Sequence, residues 1–473
     1  VISVIGCGTQ PLTAAEQALV SDAELVVGAA RHLAAVPVPE GAKQVVLGPL
    51  APALDAVAAY RRVVVLASGD PGFFGIVRAL AERFGPEVLD VRPAVSSVAA
   101  AFARVGLPWD DAVVVSAHGR DLRTAVNVCR ARRKVAVLTA PGAGPAELAA
   151  ALLATPGIER RLVVAAELGA PGERVVPVSL ADAAARDWPA VNLVLCLGPG
   201  DGLGPMRTLA GAEPGPAEWA LPEDGFAHRD SMITKAEVRA VALARLGPRA
   251  GDLVWDVGAG SGSVAVECAR LGAAVVAVER EADAVARVRA NAAAYGVDVS
   301  VVQGAAPEAL DGLPEPDAVF VGGGGAALPA IVAACAGRAR RAVVVTLAAV
   351  DRVGAVRAAL GRAGLRVDGV LLQASRLSPL PGEVARLAAT NPVFVLWGTR
   401  EGLRAESQLH FQGREASFAT ASCTTQGREE LREQPCTSVE GWSRSSSRPS
   451  GSATSHRFTV TDSSSSDSQG ELP

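Results

Sequence analysis

Short runs of β-branched residues alternate with alanine-rich stretches of helical spacing through most of this chain. Up to residue 200 the runs are VISVIG, AELVVG, RVVVLAS, AVVVSA, KVAVLTA, RLVVAAE and VNLVLCLG. Runs of this kind suit strands buried on both faces, and the stretches between them suit crossover helices. The alternation predicts an α/β domain with a largely parallel sheet. VGLPWDD at Val105–Asp111 interrupts the series and divides the domain into two expected lobes. Gly198–Gly225, rich in Gly and Pro, then reads as a linker. A second series follows, with DLVWDVG, AAVVAVE, VSVVQG, AVFVGG, AVVVTLA, VDGVLLQ and PVFVLWG as seven strand candidates. The expected organisation is a first α/β domain over 1–203, a linker over 204–222 and a second α/β domain over 223–400.

The pattern stops after Arg400. Residues 401–473 are rich in Ser, Thr, Gln and Arg and end in TDSSSSDSQGELP. Such a segment buries too little apolar surface to offset chain entropy, so a disordered tail is expected. It reads either as an interaction tail or, as the favoured alternative, as a non-native extension such as a frame change. Val1 stands where a Met would open a coding frame and is read as a non-AUG start or a trimmed N-terminus.

Composition narrows the classes. Nearly half of the 473 residues are apolar, so large cores are possible, and the net charge of -4 predicts no affinity for nucleic acid or anionic membrane. The cysteines Cys7, Cys129, Cys196, Cys268, Cys335, Cys423 and Cys436 are odd in number and dispersed, without a CxxC pair. That argues against a disulfide framework and against a zinc site, and no HExxH occurs among the five histidines. No apolar run approaches the ~20 residues of a membrane span, and the start lacks a basic signal-peptide region. A soluble, cytoplasmic protein without a metal is expected.

The candidate chemistry centres on VWDVGAGSGSVAVE, Val254–Glu267. A strand that breaks into Gly258-x-Gly260-x-Gly262 and resumes as a helix lets backbone approach a ligand, and the helix start offers amide donors. The dinucleotide fingerprint is G-x-G-x-x-G, but Ser263 stands at its last glycine position. Asp256 precedes the loop, and Glu279 ends the next strand, where a carboxylate can accept both hydroxyls of a ribose. The pattern favours an adenosine ligand without a pyrophosphate, namely S-adenosylmethionine. The alternative is that the glycines only make a tight turn.

More residues point the same way. FAHRDSMITKAEVRA (Phe226–Ala240), WDVGAGSGS, VQGAAPEAL and PDAVFVGGGG occur in order. Together, over about residues 223–400, they resemble the decarboxylating methyltransferase module of cobalamin biosynthesis, a Rossmann-like class I methyltransferase. By that resemblance Thr234, Gly258, Ala259, Gly260, Ser261, Gly262, Glu279 and Ala306 contact the methyl donor. Thr234-x-x-Glu237 is also a capping box for the next helix, and either role is open to Thr234.

In the first domain, VISVIGCGTQPLT places Gly6-x-Gly8 after a strand, and a Thr13-x-x-Glu16 capping box accounts for part of it. LASGDPGFFGIVRAL (Leu66–Leu80), PAVSSVAAAFARVGLPWDDAVVVSAHGRD and AELGAPGERV (Ala166–Val175) carry the stronger signal. Over residues 1–200 they resemble the bilobal tetrapyrrole methylases, in the C5-methylating branch, whose donor lies between two lobes. The resemblance gives Asp70, Phe73, Ser96, Ser97 and Leu138 as donor contacts, and the Gly6-x-Gly8 turn adds Gly8 as a candidate. Asp70 before Pro71 is equally a turn residue, and His118 is either a loop histidine or a substrate contact.

Joined, the two modules resemble the fused C5,15-methyltransferases (decarboxylating) of cobalamin biosynthesis. This implies methylation at C5 and C15 with loss of the ring C acetate carboxyl, converting precorrin-6B to precorrin-8X, and two S-adenosylmethionine sites per chain. The polycarboxylated substrate calls for basic residues beside the motifs, and Arg120, His118, Arg229, Lys235 and Arg239 are the candidates. No catalytic acid–base pair is apparent, which in-line methyl transfer does not require. A homo-oligomer is expected. The competing readings are an NAD-dependent dehydrogenase fused to a second α/β domain, and a non-catalytic sensor of the methyl donor.

Overall fold

The computed structural model describes residues 1–8, 10–200, 202–204, 210, 215–229 and 233–400. The tail expected at 401–473, with Cys423 and Cys436, lies outside them, as does part of the linker.

The first lobe holds β1 (Ile2–Cys7), β2 (Leu25–Gly28), β3 (Lys43–Val46), β4 (Val63–Ser68) and β5 (Leu89–Arg92). They form a wholly parallel sheet in the order β3-β2-β4-β1-β5. Ile5, Leu25, Val65 and Leu66 are fully buried, as expected of strands covered on both faces. The second lobe holds β6 (Val113–Ser116), β7 (Lys134–Leu138), β8 (Arg161–Ala166), β9 (Arg174–Ser179) and β10 (Asn192–Leu197), in the order β6-β7-β10-β8-β9. Here the expected parallel sheet is corrected. Only β6 and β7 pair in parallel, while β10 runs antiparallel to both β7 and β8, and β9 antiparallel to β8. The return from β8 to β9 is a short turn rather than a helical crossover, and the only geometry a short turn permits is antiparallel.

The second module contributes β11 (Leu253–Val257), β12 (Ala274–Glu279), β13 (Ser300–Gln303), β14 (Ala318–Val321), β15 (Ala342–Leu347), β16 (Arg366–Leu372), β17 (Ser375–Leu380), β18 (Val384–Ala389) and β19 (Val393–Thr399). Its main sheet runs β13-β12-β11-β14-β15-β19-β16, parallel through β15 and antiparallel at β19. The central order is that of a doubly wound Rossmann-like sheet, with its switch point beside β11. Two apolar layers cover it, one containing Trp255 and Val343, the other Val254, Phe320 and Val344.

Five strands escaped the sequence reading: β3, β5, β9, β17 and β18. KQVV, LDVR and RVVPVS carry polar or proline residues and form sheet edges, where burial is incomplete. The β17–β18 hairpin stands apart, and most of its residues are exposed.

The modules meet along a polar seam. From the helix Leu122–Ala131, Arg123 pairs with Asp317 at 2.6 Å and Asn127 donates to the Gly251 carbonyl at 2.9 Å. Arg133 and Arg160 converge on Asp298, each at 2.8 Å.

Candidate active site

Second-module strands end at one cleft of about 790 Å³. Its walls come from the turns after β11, β12, β13 and β14, the carboxyl edge at which open α/β sheets bind ligands. Gly258, Gly260 and Gly262 all adopt left-handed backbone (φ 74°, 57° and 73°), which a side chain would strain. Their roles differ. A Cβ on Gly262 would stand 2.8 Å from Val288, so this glycine lets the helices Ser263–Arg270 and Ala282–Ala294 approach. Gly260 faces open space and lines the cleft.

Glu279 is held in place by backbone. Gly260 donates to its Oε2 at 2.8 Å, and Arg280 and Glu281 donate to Oε1 at 2.9 and 3.1 Å. A carboxylate has about four acceptor positions, so at least one remains open to a hydroxyl. Beneath the loop, Asp256 is buried; its Oδ2 accepts the Ala265 N–H at 2.9 Å while Oδ1 has no protein partner. Burial, with the Glu279 charge adding to it, pushes the Asp256 carboxyl up to about 7.

Of the expected contacts, Gly258, Gly260, Ser261, Glu279 and Ala306 line the cleft, together with Arg229. Ala259 packs into the apolar layer beneath, and Gly262 shapes the loop without lining it. Three expectations are corrected. Thr234 does not line the cleft, and its capping box is absent: the helix starts at Ala236 with Lys235 at its cap. The reason is competition. Arg376 draws Glu237 into a two-point ion pair, and Glu223 supplies the acceptor for the Ala236 N–H at 2.7 Å. Arg376 also clasps Glu223, holding that carboxyl at about 2.

Arg239 cannot meet a substrate, because its side chain is completely buried. It pairs with the buried Glu267 at 2.8 Å and donates to the carbonyls of Thr234 and Leu221. Glu267 in turn accepts the N–H groups of Ala220 and Leu221, so the last residues of the expected linker are docked on the second module. Lys235 likewise lies off the cleft.

Among the cleft residues that escaped the sequence reading, two groups stand out. Gly323–Gly325, after β14, belong to a quoted motif but were assigned no role. Their signal was available: a glycine run following a strand on the same sheet edge. Arg287 had none, since its place on a helix one turn past Asp283 becomes meaningful only once that helix flanks the cleft.

The first module is built differently. Gly69 donates to the Cys7 carbonyl at 2.8 Å and accepts from Ala94 at 3.1 Å, so the turns after β1, β4 and β5 are stitched together. A side chain at Gly6 would overlap the Gly69 carbonyl oxygen, and one at Gly8 would press on Ala94 at 3.0 Å. Asp70 accepts the Gly72 N–H at 2.8 Å, making the turn its sequence context suggested. Ser96 caps the helix Ser97–Val105 through the Ala99 N–H at 3.1 Å, and Gly69 touches Ser96 and Ser97. That helix packs on the second lobe, in a cluster to which Leu138 belongs. Gly8, Asp70, Ser96 and Ser97 therefore lie at the joined turns of the first lobe, and Leu138 lies in the apolar cluster that the helix Ser97–Val105 shares with the second lobe. Phe73 and Phe74 contact one another edge to face and are half exposed, and the Arg120 guanidinium lies 5.5 Å from the Phe74 ring. His118 is exposed beside them, its N–H bound by Ser116 Oγ.

Comparison with known proteins follows these two regions. Residues 2–184 match the tetrapyrrole (corrin/porphyrin) methylases, and residues 224–398 match the precorrin methyltransferase domain. A Sinorhizobium protein named precorrin-6Y C(5,15)-methyltransferase [decarboxylating] is 37% identical over 333 residues, 68% of this chain and 78% of the relative. The chain belongs to the precorrin-6Y C5,15-methyltransferase (decarboxylating) family. Single-module relatives match its halves separately. A Pyrobaculum calidifontis protein, named as a probable cobalt-precorrin-6B C(15)-methyltransferase (decarboxylating), is 37% identical over 183 residues, covering 37% of this chain and 93% of its own. A Salmonella typhimurium cobalt-precorrin-7 C(5)-methyltransferase is 33% identical over 189 residues, covering 38% of this chain and 93% of its own. As a precorrin-6Y methyltransferase family member, the chain is an enzyme that uses S-adenosylmethionine. Among the described residues no helix is long and apolar enough to cross a membrane.

Proposed function

We propose that this chain methylates a precorrin at C5 and C15 and removes the ring C acetate carboxyl as carbon dioxide, with one methyl-donor site in each module. The observation that carries the reading is the second-module cleft, where an open glycine turn and a backbone-held acid stand together at the carboxyl edge of the sheet. The residues fit the donor. Gly260 leaves room for an adenosine, and Glu279 keeps acceptor capacity for ribose hydroxyls. Gly262, rather than a glycine at position 263, relieves the helix packing, which favours this ligand over a dinucleotide.

When bound, S-adenosylmethionine supplies an electrophilic methyl group to carbon. The chain's contribution is alignment and exclusion of water, worth more for in-line displacement than a strong base. In the second module Arg229 and Arg287, both on the cleft, are placed to take substrate carboxylates. In the first, Gly8, Asp70, Phe73, Ser96, Ser97 and Leu138 border the donor region, and Arg120 and His118 stand at its mouth for the substrate. The test is mass spectrometry of the product after incubation with precorrin-6B and S-adenosylmethionine. Gain of two methyl groups with loss of one carbon dioxide is expected, and a product lacking either change overturns the reading.

A further inference from the structure

The seam between the modules holds a second, open cleft of about 260 Å³, on the opposite edge of the second-module sheet from the donor cleft. It touches the starts of β11 and β12 at Leu253 and Ala274, whereas the donor cleft lies at the strand ends. Arg130, Arg133 and Arg160 enter it from the first module and Arg289 from the second. Among the described residues only Glu159 and Asp298 oppose them, and Asp298 is already shared by Arg133 and Arg160.

Arg130 is the decisive group. It is 9% exposed, and its three hydrogen bonds run to neutral acceptors: Thr155 Oγ1 at 2.6 Å, Asn127 Oδ1 at 2.7 Å and the Ala151 carbonyl at 2.9 Å. Among the described residues no carboxylate pairs with it, and two of its five N–H groups remain unassigned. Burial and the nearby Arg123 charge lower its pKa to about 10, still far above neutrality, so the guanidinium stays charged. A buried cation without an anion is costly, and its usual remedy is a paired oxyanion. Arg289, on the exposed rim, makes no hydrogen bond or ion pair among the described residues, and with Arg130 is one of the two cations of the four that lack a carboxylate.

We propose that this second cleft is a binding site for a small oxyanion, a phosphate or carboxylate group, held between Arg130 and Arg289 and clamping the two modules together. The bound anion contacts both modules, so it stabilises their docked arrangement and leaves the donor cleft unobstructed. Arg130 is itself tied to the seam, because the Asn127 amide that accepts from it donates to Gly251 of the second module.

The experiment measures thermal unfolding of the full chain against inorganic phosphate and, in parallel, succinate, with sodium chloride at matched ionic strength as reference. A saturable rise of roughly 3 °C above the chloride reference is expected for at least one anion. Which anion saturates distinguishes a phosphate ligand from a carboxylate one. S-adenosylhomocysteine at saturation should leave the effect in place. Arg130→Met should weaken the apparent affinity about tenfold or more, and Arg289→Ser, at an exposed position that leaves the fold intact, should weaken it several-fold. A rise no larger than that in chloride, one abolished by S-adenosylhomocysteine, or one unchanged in Arg289→Ser overturns the proposal.

Discussion

The two modules shape the glycine turns after their strands by opposite means. The second does it with a freestanding turn: three left-handed glycines, one of them facing open space, and a carboxylate pinned by three backbone N–H groups. The first does it by drawing the ends of three strands so close that a side chain at Gly6 has nowhere to go. In one case glycine supplies a backbone conformation, and in the other it supplies proximity. The same residue type in a similar motif thus carries different physical information, and substitution separates the two.

The largest effect is expected where the second module is anchored. Arg239→Met leaves the buried Glu267 without its 2.8 Å partner, with Arg270 no nearer than 3.9 Å, and removes the bonds that Arg239 donates to the Thr234 and Leu221 carbonyls. A loss of about 3–5 kcal/mol in stability is expected by denaturant titration. A loss confined to activity, with stability intact, would return Arg239 to the substrate.

Alanine at the two kinds of glycine tests the contrast directly. Gly6→Ala forces backbone apart and should cost about 1–3 kcal/mol of stability. Gly260→Ala meets only the strain of its positive φ, roughly 1 kcal/mol, while its methyl group enters the cleft. Thermal unfolding and donor binding should therefore move in opposite proportions for the two variants. Equal effects on both readouts would erase the distinction.

A smaller effect concerns pH. The Asp256 carboxyl titrates near 7 in the folded chain against an ordinary 3.8, so the folded state holds a proton that the unfolded state releases. Its contribution costs nothing below about pH 4, grows as pH rises, and is complete above 7. Asp256→Asn, which keeps an acceptor for Ala265, should flatten the decline of stability over that window. Urea midpoints at pH 5 and pH 8 in both proteins provide the check. In the first module His32, buried against Ser68 Oγ at 3.2 Å, is pushed down to about 4 by burial and slopes stability the opposite way between about pH 4 and 6.5, so the difference between the two proteins, not the slope of the unaltered chain, reports the second cleft.

Much of this was legible in the sequence, and the gaps have physical causes. Buried strands such as KVAVL and LVWDV announce themselves because both faces are apolar. Edge strands such as KQVV do not, since partial exposure dilutes the pattern. The glycine turn and Glu279 are local features, one turn apart in the fold's logic, and their meeting follows from strand order. Arg239 shows the limit. Its place beside a motif suggested substrate, but a helix turned its guanidinium inward onto Glu267, a residue 28 positions away. The failed capping box has the same origin, because Arg376 lies 139 residues from Glu237 and no local rule connects them. The modest basic surplus at the seam was equally silent, since it appears only when two modules dock.

The central claim is that each module holds its own donor site. Calorimetric titration of the full chain with S-adenosylhomocysteine counts them, and Glu279→Ala identifies which one answers to the second module. Two sites in the unaltered chain, falling to one in the variant with the first-module affinity unchanged, is the predicted result. A single site, or two that ignore the loss of Glu279, would contradict it.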